Sequence, residues 1–258
     1  MPRFAANLSM MFTEHAFPDR FQAAADAGFG AVEFLFPYDY PAQDIARWCQ
    51  AAGVDQMLFN LPPGNWAAGD RGMAALPARR DEFRRSVQTA LDYAGVIGTP
   101  RLHMMAGLAD PADPAHQDCY RDSLAYAADA AAEKGVCLLI EPINRRDMPG
   151  YFLNDFAPAT ELIESLGRAN LKLQFDIYHR QILHGDVLMG LKALLPLIGH
   201  IQIASVPGRN EPGTGELDDS RIFHALDDLG YEGFVGCEYR PRAGTLDGLG
   251  WLKSANRS

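Results

Sequence analysis

The sequence predicts a closed (β/α)8 barrel built as one domain over residues 1–258. Three observations carry that expectation. Eight apolar strand-like runs alternate with seven helical patterns, and strict alternation implies parallel strands joined by right-handed crossovers. No linker, composition break or low-complexity tract interrupts the series. The length, 258 residues, is one that α/β barrels commonly use for a single domain. An open doubly wound sheet is the alternative. It usually carries a glycine-rich phosphate turn after its first strand, whereas S-M-M-F-T-E follows the first strand here, and no G-x-x-x-x-G-K-[ST] occurs.

Each element has a local reason. Residues 4–8 form a short first strand. Residues 13–28 read as a helix, with Phe17, Phe21, Ala24 and Ala25 near helical spacing and Gly28 as the stop. A-V-E-F-L-F at 31–36 is the second strand, closed by Pro37, and 41–52 a helix ended by Gly53. D-Q-M-L-F-N at 55–60 is the third strand. A loop rich in Gly, Pro and Ala follows over 61–77, long enough to serve as a lid. Residues 81–95 form an amphipathic helix, 101–105 the fourth strand, and 117–134 an Ala-rich helix ended by Gly135. The fifth strand is 136–141 and its helix 157–166; the sixth is 171–176, with a helix over 186–197. The seventh strand, 200–204, the helix 220–229 and the eighth strand, 234–238, complete the series.

Composition narrows the function. Hydrophobic residues make up 48% and charged residues 22%, enough apolar content for a substantial core. The formal net charge of -10 argues against nucleic acid, which needs a basic face. Apolar runs fall well short of the ~20 residues that span a bilayer. The start, M-P-R-F-A-A-N-L-S-M-M-F, reads as a strand rather than a signal peptide, so a cytoplasmic setting is expected. Cys49, Cys119, Cys137 and Cys237 form no C-x-x-C pair and read as small buried hydrophobes, and Met10, Met11, Met104 and Met105 read as core. An assembly of several copies of this chain is compatible with the sequence.

Chemistry in such barrels sits at the carboxyl ends of the strands and in the loops beyond them. Those ends hold Asn7, Glu33, Asn60, His103, Glu141, Asp176, Gln202 and Glu238. In L-L-I-E-P-I-N an apolar strand ends in Glu141, and Pro142 stops the ladder because it has no N–H to give. L-K-L-Q-F-D ends in Asp176, H-I-Q-I-A carries Gln202, and F-V-G-C-E ends in Glu238. One acidic residue at a strand end is commonly a helix cap or a surface ion-pair partner. Four oxygen-bearing side chains on four successive strands ask for more. Carboxylates converging on one mouth raise each other's pKa unless a cation sits among them. An all-oxygen set suits a hard divalent ion, Mg²⁺ or Mn²⁺, better than zinc.

The whole chain resembles the hydroxypyruvate isomerase family, within the xylose-isomerase-like TIM barrels. The matching stretches run from end to end: R-F-A-A-N-L-S-M-M-F, A-V-E-F-L-F-P-Y-D-Y, N-L-P-P-G-N-W-A-A-G-D-R-G, L-L-I-E-P-I-N, Q-F-D-I-Y-H, E-P-G-T-G-E and G-C-E-Y-R-P. The resemblance implies a metal held by Glu141, Asp176, Gln202 and Glu238, with Glu141 and Glu238 as proton donor and acceptor. Gln202 stands where related barrels often have His. The implied reaction interconverts hydroxypyruvate and tartronate semialdehyde through an enediolate, within glyoxylate and carbohydrate-acid metabolism. A 2-oxo-tetronate isomerase acting on a four-carbon acid is the nearest alternative, since R-L-H-M-M-A-G resembles that branch. A metal-dependent hydrolase like endonuclease IV would need more His at the strand ends. A non-catalytic sugar-acid binding module would not need two glutamates beside one metal.

Other residues are assigned more loosely. His179, three residues after Asp176, polarises a substrate oxygen or else caps a loop. Arg209 follows the seventh strand and is the candidate for a substrate carboxylate, because its fork matches that group; a solvated loop arginine is the alternative. Trp66, with Arg71 nearby, covers the substrate or simply packs. Whether His103 points inward is not decided by periodicity. His15, His116, His184, His200 and His224 read as surface or core.

Overall fold

The first strand, β1 (Arg3–Asn7), buries four of its five residues, as a strand covered on both faces must. It pairs in parallel with β2 (Ala31–Glu33) on one side and with β9 (Phe234–Cys237) on the other. From β9 the sheet runs through β8 (Ile198–Ile203), β7 (Leu171–Asp176), β6 (Cys137–Ile140) and β5 (Arg101–His103) to β4 (Phe59–Asn60). On the other edge β2 pairs with β3 (Asp55–Gln56). This computed structural model of the chain describes residues 2–255; Met1 and Asn256–Ser258 of the expected 1–258 span lie outside the described residues.

The ring closes through the third strand. The expected strand 55–60 is split at Met57 and Leu58: its first piece, β3, pairs with β2 and its second, β4, with β5. Main-chain bonds bridge the gap, from Met57 N–H to Val32 O at 2.8 Å and from Phe34 N–H to Leu58 O at 3.2 Å. The sheet is thus a barrel of eight positions, all parallel, in which the residue after each strand faces the same mouth.

Helices cover the outside. They are α1 (Phe17–Asp26), α2 (Ala42–Ala52), α3 (Arg80–Ile97), α4 (Pro114–Ala132), α5 (Phe156–Leu166), α6 (Ile177–Leu183), α7 (Val187–Leu194), α8 (Asp219–Asp228) and α9 (Gly250–Ala255). Helix α1 starts four residues later than expected, because Pro18 fits its first turn and the preceding residues form turns. Helix α4 starts three residues earlier, where Asp113 caps it by accepting the Ala115 N–H at 2.8 Å. Two helices were not expected. Helix α6 begins directly after β7, and α9 follows the last strand. The start signal of α6 is Asp176 itself, whose Oδ1 accepts the Tyr178 N–H at 2.8 Å. The cap uses one oxygen of that residue and leaves Oδ2 free of it.

Two glycines are fixed by what faces them. A Cβ on Gly236, in β9, would lie 2.2 Å from Glu33 Oε2. Gly72 has φ +104°, and a Cβ there would lie 2.3 Å from the Met105 carbonyl oxygen. Gly72 therefore lets the long loop lie flat on the exit of β5, where it bridges Ala106. All four cysteines are free, three buried and Cys137 half-buried. Among the described residues, no helix is long and apolar enough to cross a membrane.

Candidate active site

Three strand ends put their carboxylates at the barrel mouth. Glu141 stands one residue beyond β6, Asp176 ends β7 and Glu238 stands one residue beyond β9; all three are buried. Ligand atoms of Glu141, Asp176 and His179 lie within 4.8 Å of one another. Glu141 Oε1 and Asp176 Oδ2 have no hydrogen-bond partner although both are buried. Leaving a charged oxygen buried and unpaired is costly. Burial raises the pKa of Glu141 well above the carboxylate range, and the charges of Glu238 and Asp176 raise it further. Asp176 and Glu238 are pushed up by burial too, while Arg209 opposes the rise in both. Orphaned oxygens that repel one another are the surroundings a divalent cation relieves, so the residues present fit such an ion.

Arg209 is the cation that answers these charges. Its Nη2 is 3.4 Å from Glu238 Oε2 and 3.6 Å from Asp176 Oδ2, and its Nη1 is 3.6 Å from Asp147 Oδ2. The guanidinium also lies 4.9 Å over the Tyr178 ring. Burial works against its charge, but the four surrounding carboxylates outweigh burial and raise its pKa. Its Nε is buried without a partner. The residue sits at φ +54°, a strained conformation for a side chain of this size. Its own N–H to Ser205 O at 2.8 Å and the Arg240 N–H to its carbonyl at 2.9 Å hold it there.

His179 has a defined tautomer. Asn144 Oδ1 accepts two main-chain N–H groups, from Arg146 and Asp147, both at 2.9 Å. The Asn144 amide NH2 must then face His179, donating to Nδ1 at 2.7 Å, and the Asn144 main-chain N–H donates there as well. The proton of the neutral ring is left on Nε2. That N–H is 3.6 Å from Asp176 Oδ2 and 3.9 Å from Glu141 Oε1. Burial, with the Arg209 charge adding, keeps the ring neutral. A protonated Nε2 is a donor and not a metal ligand. His103 points inward: its Nε2 is 3.8 Å from Glu141 Oε2, and burial alone drives its pKa down to about 3.

Gln202, the register partner of Asp176 on the next strand, is turned into a buried polar cluster. Its NH2 donates to Glu33 Oε1 at 2.7 Å, and its carbonyl accepts from Gln174 Nε2 at 2.6 Å. Glu33 also takes Asn7 Nδ2 at 3.0 Å and faces His200 Nε2 at 2.7 Å. This buried polar layer was missed as a unit. Its one signal is Glu33, an acidic residue inside the apolar run A-V-E-F-L-F; His200 reads only as surface or core. Asn144 and Asp147, close after Glu141 in sequence, were missed as well.

A cavity of about 390 Å³ opens over these groups, and Trp66, His103, Glu141, His179, Arg209 and Glu238 all line it. Met10 and Met105, expected in the core, line it too. Trp66 starts a short 3₁₀ turn in the long loop, 39% exposed, with its ring 5.1 Å from that of Phe36. The loop is tied down by the Asp70–Arg79 ion pair at 2.7 Å and by the Gly72 N–H to Pro63 O at 2.9 Å.

Comparison with known proteins agrees with this architecture. A family model described as "Xylose isomerase-like TIM barrel" matches residues 21–255. The chain is 59% identical over 256 residues to a 2-oxo-tetronate isomerase of Cupriavidus necator, covering 98% of each chain. It is 42% identical over 255 residues to a hydroxypyruvate isomerase of Escherichia coli, again covering 98% of each. It superposes with a TM-score of 0.96 and 47% identity on a crystal structure from Brucella melitensis titled AP endonuclease, family 2, covering 98% of this chain and 99% of that one. With near-complete coverage at these identities, the chain belongs to the xylose isomerase-like TIM barrel family.

Proposed function

We propose that this chain is an isomerase of small oxo-hydroxy acids that interconverts hydroxypyruvate and tartronate semialdehyde. The observation that carries the reading is the pair of unpartnered buried oxygens on Glu141 and Asp176, set beside a neutral His179 that offers its Nε2–H. The curated relatives named as isomerases support the class of reaction. We read residues 1–258 as one domain working on a small metabolite in the cytoplasm.

Glu141, Asp176, Gln202 and Glu238 would hold the metal. Their oxygen donors favour Mg²⁺ or Mn²⁺, and the Gln202 carbonyl keeps a second lone pair beyond its bond from Gln174. A bound divalent ion polarises carbonyl and hydroxyl oxygens and so acidifies the adjacent C–H. The remaining work belongs to side chains. One of Glu141 and Glu238 removes the proton from C3 of hydroxypyruvate, giving the enediolate, and the other returns a proton at C2. The proton on the C3 hydroxyl passes to the C2 oxygen, so the product differs only in the placement of hydrogen. His179 Nε2–H donates to a substrate oxygen, and its neutral tautomer keeps that donor in place. Arg209 binds the substrate through its unpartnered Nε, and His103 and Trp66 close the remaining walls.

A second reading, isomerisation of a four-carbon 2-oxo-tetronate, is favoured by the 59% identity to the Cupriavidus relative of that name. Nuclease action, suggested by the Brucella title, is disfavoured by a mouth lined with carboxylates and a net charge of -10. The test is direct. The purified protein is loaded with Mn²⁺, and kcat/KM is measured for hydroxypyruvate and for 2-oxo-tetronate. Turnover of hydroxypyruvate with the higher kcat/KM supports the first reading, and a preference for the four-carbon acid supports the second. No isomerisation of either acid by the metal-loaded protein removes both.

A further inference from the structure

The cavity over the carboxylates has three arginines on its lining, Arg71, Arg209 and Arg240, and they differ in what they already hold. The two Nη groups of Arg209, the residue whose fork the sequence offered to a substrate carboxylate, face Glu238, Asp176 and Asp147, which leaves it a single Nε donor and no fork. Arg240 is exposed; its hydrogen bonds run through its main chain, and its charge acts on Glu238. Arg71 is half-buried and immobilised from two directions. Its Nη1 donates to the main-chain oxygens of Asp70 at 2.7 Å and of Trp66 at 3.2 Å, and its guanidinium lies 3.9 Å over the Trp66 ring. Asp70, the acid beside it in sequence, is committed to Arg79. The Nη2 and Nε edge of Arg71 therefore keeps its donors; its charge reaches Asp70, whose carboxylate is bonded to Arg79, and no carboxylate oxygen is in ion-pair contact with the Arg71 guanidinium among the described residues.

We propose that Arg71 is the receptor for the carboxylate of the substrate, and that it restricts the enzyme to sugar acids over neutral sugars. This rests on the isomerase reading above and adds the feature that selects the substrate class. A guanidinium already stacked and bonded along one edge loses little freedom when it binds, so its fork offers a preformed bidentate carboxylate site. The platform is equally fixed. Gly72, the next residue, abuts the Met105 carbonyl and bridges Ala106, so Arg71 rides on the exit of β5 and not on a free loop. Glu141, Glu238 and Arg209 line the same cavity, which at about 390 Å³ has room for a three- or four-carbon acid. A substrate with its carboxylate on Arg71 turns its other carbons toward the glutamates. The two acids considered above share this carboxylate end, so one receptor would serve either.

The test uses the Mn²⁺-loaded enzyme with Arg71→Met and Arg71→Lys. Calorimetry measures binding of D-glycerate, a three-carbon acid without the reacting carbonyl, and kinetics compares hydroxypyruvate with neutral dihydroxyacetone. Removing a charge-assisted fork weakens binding by about 10- to 100-fold. Arg71→Met is expected to raise the Kd for D-glycerate and the KM for hydroxypyruvate by that factor, with a smaller effect on dihydroxyacetone and no change in Mn²⁺ affinity. Arg71→Lys should recover part of the loss, since it keeps charge without the fork. An unchanged Kd and KM in Arg71→Met, equal losses for acid and neutral substrate, or a wild type that does not bind D-glycerate overturns the proposal. If the wild type isomerises neither acid but loses D-glycerate binding on substitution, the carboxylate site stands and the isomerase reading falls.

Discussion

Glu33→Gln tests whether the deep polar layer sets the site above it. Glu33 is buried and takes two side-chain amides, Asn7 at 3.0 Å and Gln202 at 2.7 Å, beside His200 Nε2 at 2.7 Å. Its negative charge fixes the Gln202 amide with NH2 toward Glu33 and the carbonyl toward Gln174. A glutamine at 33 has nearly the same shape but replaces one acceptor oxygen with a donor. The new NH2 either meets Asn7 and Gln202 donor against donor, or faces His200 Nε2, which must then accept in its other tautomer. The loss of charge assistance and the mismatch together are expected to cost roughly 2–4 kcal/mol of stability. For a chain of this size that is a fall in Tm of about 4–16 °C. If Gln202 presents its carbonyl to the metal, a mis-set amide should weaken Mn²⁺ binding by about 10- to 100-fold. The assay is Mn²⁺ titration followed by electron paramagnetic resonance, alongside thermal unfolding of metal-free protein. A Glu33→Gln protein that melts like wild type and binds Mn²⁺ equally well refutes the reasoning. A lower Tm with unchanged Mn²⁺ affinity keeps the layer structural and removes Gln202 as a ligand.

Two further outcomes follow from the same geometry. Glu141→Gln and Glu238→Gln should each fold and lose isomerisation by about 10²- to 10⁴-fold, the usual worth of a general base; near wild-type rates in either metal-loaded variant make that glutamate a ligand only, and solvent-deuterium exchange at one substrate carbon in one variant supports a two-base scheme. Acid should destabilise the protein through His103, whose pKa falls from 6.5 in an open environment to about 3 in the fold. Below 6.5 the unfolded chain takes up a proton that the native ring refuses, so stability present above that pH is lost as pH drops, by about 1.4 kcal/mol per unit. His103→Gln removes this slope. The difference in urea-unfolding free energy between wild type and His103→Gln should therefore shift by about 2 kcal/mol between pH 6.5 and 5, and a difference that stays constant disproves the burial argument.

The sequence by itself determined the barrel and which side chains stand at its strand ends. Strand runs of period and length fit for burial, alternating with helical patterns, leave few topologies open, and the residue ending each apolar run must emerge at the mouth. That is why Glu141, Asp176 and Glu238 could be picked without coordinates. Periodicity also found the third strand but not its break, because the split at Met57 and Leu58 lets one segment pair with two neighbours and is a property of ring closure. Tertiary structure alone decided who meets whom. The tautomer of His179 depends on Asn144, 35 residues earlier, and the orientation of Gln202 on Glu33, 169 residues away. Which arginine is free depends on charges brought in from other strand ends: Arg209 is surrounded by Glu238, Asp176 and Asp147, while Asp70, which adjoins Arg71, is held by Arg79. Hydrogen-bond partnership and charge neutralisation act over a few ångströms in space, and spacing along a chain does not encode which distant residues come within that reach.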